Sequence, residues 1–224
     1  MSFLPRHGRC TRTPRRAQGL TLAAAGAGLA ASLFLAAPAH AVTPDRTDTT
    51  TAAQTTDSGH RTAEQHVEAL ARLAAQRLAT ADQVAASKWI SDKPIEDPER
   101  EKQVLDAMDA EAQRLGIDRA TVERVFQDQM EANKYVQHQL HDYWREHSDQ
   151  APTTAPDLST IREEINRINA GLLTAIQGAQ PLLSAPQCSG VREKAYRTTV
   201  HDLRLDALHA QGLRRALTGL CSPA

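Results

Sequence analysis

Apolar residues recur at three- and four-residue intervals along most of the chain beyond residue 60. Val67, Leu70, Leu73, Ala74, Leu78, Ala81, Val84 and Ala85 form one stripe, which predicts a helix from Arg61 to about Trp89. Ser91, Asp92 and Pro94 close it. Asp97 suits the next N-cap, with Pro98 at the first helical position and Glu99 and Glu101 in the first turn. That second helix is expected to run to about Leu115 and stop at Gly116 in the left-handed conformation. Asp118 then caps a long third helix with Val122, Val125, Phe126, Gln129, Met130, Asn133, Val136, Gln137 and Leu140 on one side, reaching about His147. A Pro-bounded break over 151–156 follows.

Asp157 or Ser159 caps a fourth helix through Ile161, Ile165, Ile168, Leu172, Leu173 and Ile176, with Pro181 and Pro186 expected to interrupt it. A last long helix carries Val191, Ala195, Val200, Leu203, Leu205, Leu208, Leu213 and Leu217 and ends at Gly219. Its length calls for a break, which Gly212 would supply. No stretch alternates convincingly as a strand, and no Asn-Gly or Asp-Gly hairpin occurs. The expected fold is all-α: one bundle of about five or six helices, the first, third and last being long.

The N-terminus follows another pattern. Arg6, Arg9, Arg12, Arg15 and Arg16 form a basic leader without an acid; an uncharged run covers 20–37, and Pro38-Ala-His-Ala41 follows. This reads as a signal peptide over 1–41, cut after Ala41. The rival is a membrane anchor, since the run is near the minimum spanning length; its Ala and Gly content and the adjacent cleavage site favour export. Arg15-Arg16 leaves the twin-arginine route open beside the general secretory one. Residues 42–60, rich in Thr and without a hydrophobic period, read as a disordered linker, and 61–224 as the folded domain.

Loss of the five leader arginines takes Lys plus Arg from 26 to 21 against 27 acids, a net charge of about −6. A mildly acidic soluble chain offers no basic field for nucleic acid, and no membrane contact is expected after cleavage. Cys10 leaves with the leader. Cys188 and Cys221, an even pair in an exported protein, read as a disulfide rather than two buried thiols.

The chemistry gathers in Arg77–Glu101. Arg77 and Lys88 lie eleven residues apart on a helix free of Gly and Pro. Eleven steps of about 100° leave them roughly 20° apart on one face and roughly 16 Å apart along the axis. After a Pro-containing turn, Arg100 and Glu101 open the next helix. A dianion lying between the two helices could be held at both ends.

These residues, in R-L-A-T-A-D-Q-V-A-A-S-K, P-I-E-D-P-E-R-E and F-Q-D-Q-M-E-A-N-K-Y-V-Q, together with Cys188 and Cys221, resemble the AroQ class of chorismate mutases, and within it the exported, disulfide-bearing γ subclass. The specific element is the joint spacing of 11, 9, 3, 33 and 4 residues from Arg77 through Lys88, Asp97, Arg100 and Asn133 to Gln137. The resemblance implies conversion of chorismate to prephenate without cofactor, metal or covalent intermediate. It implies that Arg77 pairs with one carboxylate, and that Lys88 and Gln137 reach the ether oxygen. Asn133 would bind the ring carboxylate, at a position where better-known relatives carry a small hydroxyl residue. Glu101 and the backbone near Asp97 would take the ring hydroxyl, and Arg100 would orient the acids or touch substrate. Asp157–Leu173 resembles the opening of the first helix of ordinary AroQ domains, whose arginine crosses from a partner chain. Arg162 would supply that cation in cis. The resemblance also suggests a homodimer.

Blander readings stand beside these. Each cation alone would be a solvated charge, Arg162 a surface arginine, and Gln137 a helix-surface amide. His138, His141 and His147 could ligate a metal but lack a companion ligand set. Trp89 and Trp144 read as packing residues, and Lys93, Lys102 and Lys134 as solvated. The opposing functional class is a non-catalytic secreted helical binding protein, in which the same cations would pair with acids between helices.

Overall fold

A computed structural model describes residues 48–221. The expected leader, 1–41, lies outside the described residues, as do linker residues 42–47. Six α-helices follow in order: α1 (Asp48–Ser91), α2 (Pro98–Leu115), α3 (Arg119–Glu146), α4 (Leu158–Leu183), α5 (Cys188–Leu203) and α6 (Ala207–Ala216). Short 3-10 turns occupy Ser148–Gln150 and Thr218–Leu220. There is no strand among the described residues, and no described helix is long and apolar enough to cross a membrane.

The helix ends follow the sequence chemistry closely. Asp97 Oδ1 accepts from Arg100 N at 3.1 Å, Asp118 caps Thr121 N, and Asp157 caps Ser159 N, each satisfying an orphan backbone donor. Gly116 stops α2 with φ 67°, the left-handed turn that glycine takes without a Cβ penalty.

Three boundaries differ from expectation. α1 starts at Asp48 rather than Arg61, so the Thr-rich stretch expected to be disordered is helical from Asp48 on. Once a buried amphipathic helix is nucleated, each further residue adds a hydrogen bond at low cost, and 48–58 holds no Gly or Pro to stop it. α4 runs through Pro181 and ends at Leu183. The missing N–H there affects only the last turn. The break in the last long helix lies at Arg204, not Gly212. Arg204 takes φ 50°, and Asp206 then caps α6 through His209 N at 2.8 Å. Gly212 is small for packing: a Cβ there would come within 2.7 Å of the Leu78 side chain.

α1 is the central element. It packs most extensively on α4, then on α3, and also meets α5 and α6. Leu70, Ala71, Ala74 and Leu78 of α1 are buried against Ile168, Leu172, Leu173 and Ile176 of α4 and Val122, Phe126 and Val136 of α3. Alanine on α1 and glycine on α4 bring those two helices close. A Cβ on Gly178 would lie 2.3 Å from the His66 ring. Cys188 and Cys221 are disulfide-bonded, with Cα atoms 5.8 Å apart, fastening the start of α5 to the chain beyond α6. This segment therefore folds back on itself.

Candidate active site

A cleft of about 800 Å³, counting its open mouth, lies between α1, α2, α3 and the first turns of α4. Arg77, Lys88, Asp97, Arg100, Glu101, Asn133, Gln137 and Arg162 all line it. Its apolar wall is Val84, Ile95, Val104, Met130, Leu158, Ile161 and Ile165. Every site residue expected from the sequence is thus brought to one place, and all come from a single chain.

Arg77 is 6% exposed and has no carboxylate partner among the described residues. Its Nε donates to Asn169 Oδ1 at 3.1 Å and its Nη1 to the Gln129 carbonyl at 2.9 Å. No described residue accepts from Nη2. Burial alone lowers its pKa to about 10, so the guanidinium stays charged at neutral pH. A buried cation with only neutral acceptors is expensive unless an anion joins it.

Lys88 stands near the end of α1. Its Nζ donates to the Ile95 carbonyl at 2.6 Å, which ties the turn between α1 and α2 to the end of α1. Burial lowers its pKa below the ordinary lysine value of 10.5, while Asp97, Glu96 and Glu101 pull it back up. None of those three carboxylates forms an ion pair with it.

α3 supplies the opposite wall. Asn133 and Gln137, one turn apart, are both buried. Asn133 Nδ2 donates to the Arg77 carbonyl at 3.3 Å, and Gln137 Nε2 donates to Asn133 Oδ1 at 2.7 Å. Among the described residues Gln137 Oε1 is left buried without a partner. A buried polar atom without a partner inside a cleft marks a place where a ligand atom belongs. Arg162, in the second turn of α4, is exposed at the cleft mouth, and Arg100 Nη1 leans on Gln103 at 3.2 Å.

Residues 68–138 match the family described as chorismate mutase type II. The chain is 37% identical over 148 residues to the secreted chorismate mutase of Mycobacterium tuberculosis, covering 66% of this chain and 74% of that protein. It is 36% identical over 148 residues to the secreted chorismate mutase of Mycolicibacterium smegmatis, covering 66% and 82%. The chain belongs to the type II chorismate mutase family.

A crystal structure of the chorismate mutase from Burkholderia phymatum superposes with a TM-score of 0.67 at 34% identity, over 71% of this chain and 98% of that one. The segment matching the type II chorismate mutases contains seven of the eight site residues expected from the sequence. Arg162 lies beyond it.

Two polar residues escaped the sequence reading. Asn169 falls on the apolar stripe of α4, beside Ile168 and three before Leu172; a lone polar residue at such a position was the available signal. Lys134 was expected to be solvated. Its side chain is instead 18% exposed and pairs with Glu101 at 3.1 Å and Glu131 at 2.6 Å. The histidines do other work: His138 bonds Glu96, and buried His141 bonds the Ala85 carbonyl. No group of three potential metal ligands converges among the described residues. Trp89 and Trp144 pack edge-on to each other, 5.6 Å apart, next to His141.

Proposed function

We propose that this protein is an exported chorismate mutase of the γ subclass, rearranging chorismate to prephenate in a cleft built by one chain. The observation that carries this is the buried Arg77 guanidinium, bonded only to neutral oxygens, in one cleft with Lys88 and the unpartnered Gln137 oxygen. In the opposing reading, a secreted helical binding protein, these cations would serve as interhelical ion pairs. Among the described residues neither Arg77 nor Lys88 has one. The secreted relatives and the basic, then apolar, N-terminus support export, with cleavage after Ala41, residues 42–60 as a spacer and 61–224 as the catalytic domain.

The reaction needs no group transfer to the protein. The ether C–O bond breaks as a C–C bond forms within the same molecule, and negative charge grows on the ether oxygen. The protein must confine a flexible dicarboxylate in its compact shape and place donors at that oxygen. Arg77 Nη2 and the face beside it take one carboxylate, where a planar fork suits two-point contact. Lys88 has N–H bonds to spare beyond the one to Ile95 and aims one at the ether oxygen.

Gln137 donates from the other side once its amide turns over, which brings Nε2 to the place Oε1 now occupies. Such terminal amide torsions are broad and roughly two-fold. Asn133 turns with it, exchanging the 3.3 Å contact to Arg77 for the ring carboxylate. Arg162 closes the mouth with a further cation, and Arg100 orients the acids beside it. Glu101 and the Asp97 backbone receive the ring hydroxyl. No cofactor or metal enters the scheme, and the partner is the small-molecule substrate. The chain assembles as a homodimer in this reading.

Purified residues 42–224 should accelerate the loss of chorismate absorbance. A rate equal to that in buffer rejects the assignment.

A further inference from the structure

Lys134 lies between Asn133 and Gln137 in the chain and lines the same cleft. One step of about 100° past Asn133 sets it on the α2 side of that cleft. There its Nζ meets Glu101 Oε2 at 3.1 Å and Glu131 Oε1 at 2.6 Å. The two carboxylates differ in setting: Glu131 is 67% exposed and anchors the ammonium from the solvent side, whereas Glu101 is 26% exposed and lines the cleft. Lys134 is therefore held at the rim by one acid and holds the other inside.

The cleft also contains Lys88, whose field is shared by the same carboxylate. The charged groups acting on Lys88 are Glu96 and Asp97 from the turn, Glu101 from α2 and Lys134 from α3; Arg77 of its own helix, Arg100 of α2 and Arg162 of α4 line the same cleft. Glu96 is occupied by His138, and Asp97 by the α2 cap. Glu101 is the acid in this group that attracts Lys88 while pairing with Lys134.

We propose that Lys134 is a positioning residue that holds the Glu101 carboxylate against α3, and so keeps it from pairing with Lys88. An ion pair with Glu101 would spend the Lys88 donor that the ether oxygen needs, and would move the carboxylate off the ring hydroxyl. Lys134 also repels Lys88, whereas Glu101 attracts it. Removal of Lys134 therefore stabilises the Lys88 ammonium on both counts. The effect on rate rests on the chorismate mutase reading; the effect on Lys88 titration does not.

The test uses the full mature chain with Lys134→Met and Lys134→Arg. In Lys134→Met, kcat should fall roughly tenfold or more, the scale of a misplaced contact at the reacting centre. The alkaline limb of kcat should move to higher pH, and Lys134→Arg should keep both near their original values. In a Glu101→Gln background, Lys134→Met should cost less than about twofold, because a lysine that acts through Glu101 has nothing left to hold. Trace acetic anhydride labelling of Lys88 across pH, read by peptide mass spectrometry, follows the same titration without substrate. If chorismate is not turned over, the functional reading fails while the labelling still decides the role of Lys134. A labelling curve unmoved in Lys134→Met, or a full loss of rate persisting in the Glu101→Gln background, overturns the proposal. Lower melting temperature with an unmoved curve does so too, since it marks a purely structural lysine.

Discussion

Lys88 and Gln137 meet the cleft in different states of readiness. Lys88 is held by the Ile95 carbonyl and still has protons to offer. Lys88→Ala should lower kcat by at least about 10²-fold, the loss typical of removing a donor to a developing oxyanion. Steady-state kinetics on the folded variant checks this, and an unchanged kcat removes Lys88 from the mechanism. Gln137 cannot titrate. Gln137→Glu would place a carboxyl in the same buried position, beside Asn133 Oδ1, and burial raises its pKa. Glutamate donates only when protonated, so activity should fall at neutral pH and recover toward acid. A pH–rate profile identical to the parent would remove Gln137 from the ether oxygen.

At the scale of elements, the ends of helices were largely legible because caps are local chemistry: Asp97, Asp118, Asp157 and Gly116 each act within three or four residues. Partnerships between helices were not. Nothing near Arg77 announces that Asn169, on α4, will hold its Nε, and nothing near Lys134 announces Glu101. The residues that gather in the cleft were legible as a group through joint spacing and family resemblance, whereas their supports are tertiary. The Arg204 break was missed because no Gly or Pro marks it; the signal was Asp206, a good N-cap just downstream.

The same junction carries a charge. His209 on α6 is clasped by Asp82 of α1 at 3.0 Å and by Asp206 at 2.9 Å. The Asp82 bond raises its pKa against the opposing cost of burial, and Asp206 adds to the rise, to about 9 from 6.5. A raised folded-state pKa contributes stability that is complete below pH 6.5 and is lost as pH climbs through about 9. The melting temperature should decline across that window, and His209→Gln should flatten the decline. A parallel slope in both proteins would show that the clasp is not what titrates. The Cys188–Cys221 bridge joins residues 33 apart in sequence, and neither cysteine lines the cleft. Replacing both cysteines by serine should cost roughly 3–4 kcal/mol by the chain-entropy argument. Denaturant titration reads that loss, and kcat at a permissive temperature should stay close to the parent value.

For the whole molecule, the decisive feature is that α4 follows α1–α3 in one chain and brings Arg162 to the cleft they form. Turnover per chain should stay constant on dilution, from concentrations at which the protein is dimeric to those at which it is monomeric. Light scattering would give the state and initial rates the activity; a fall in turnover tracking dissociation would mean that a second copy completes the site.

A cleft assembled within one chain also decides how damage spreads in a mixed population. Where a neighbour supplies an essential residue, each defective copy spoils its partner's site as well, and a minority of faulty chains poisons a larger share of the sites. With every proposed site residue on one chain, the fault should stay with its owner. When intact chains are mixed with the Lys88→Ala variant and allowed to exchange, activity should track the intact fraction along a straight line. A cell carrying one good and one broken copy of the gene would then show a recessive defect, and never a dominant one.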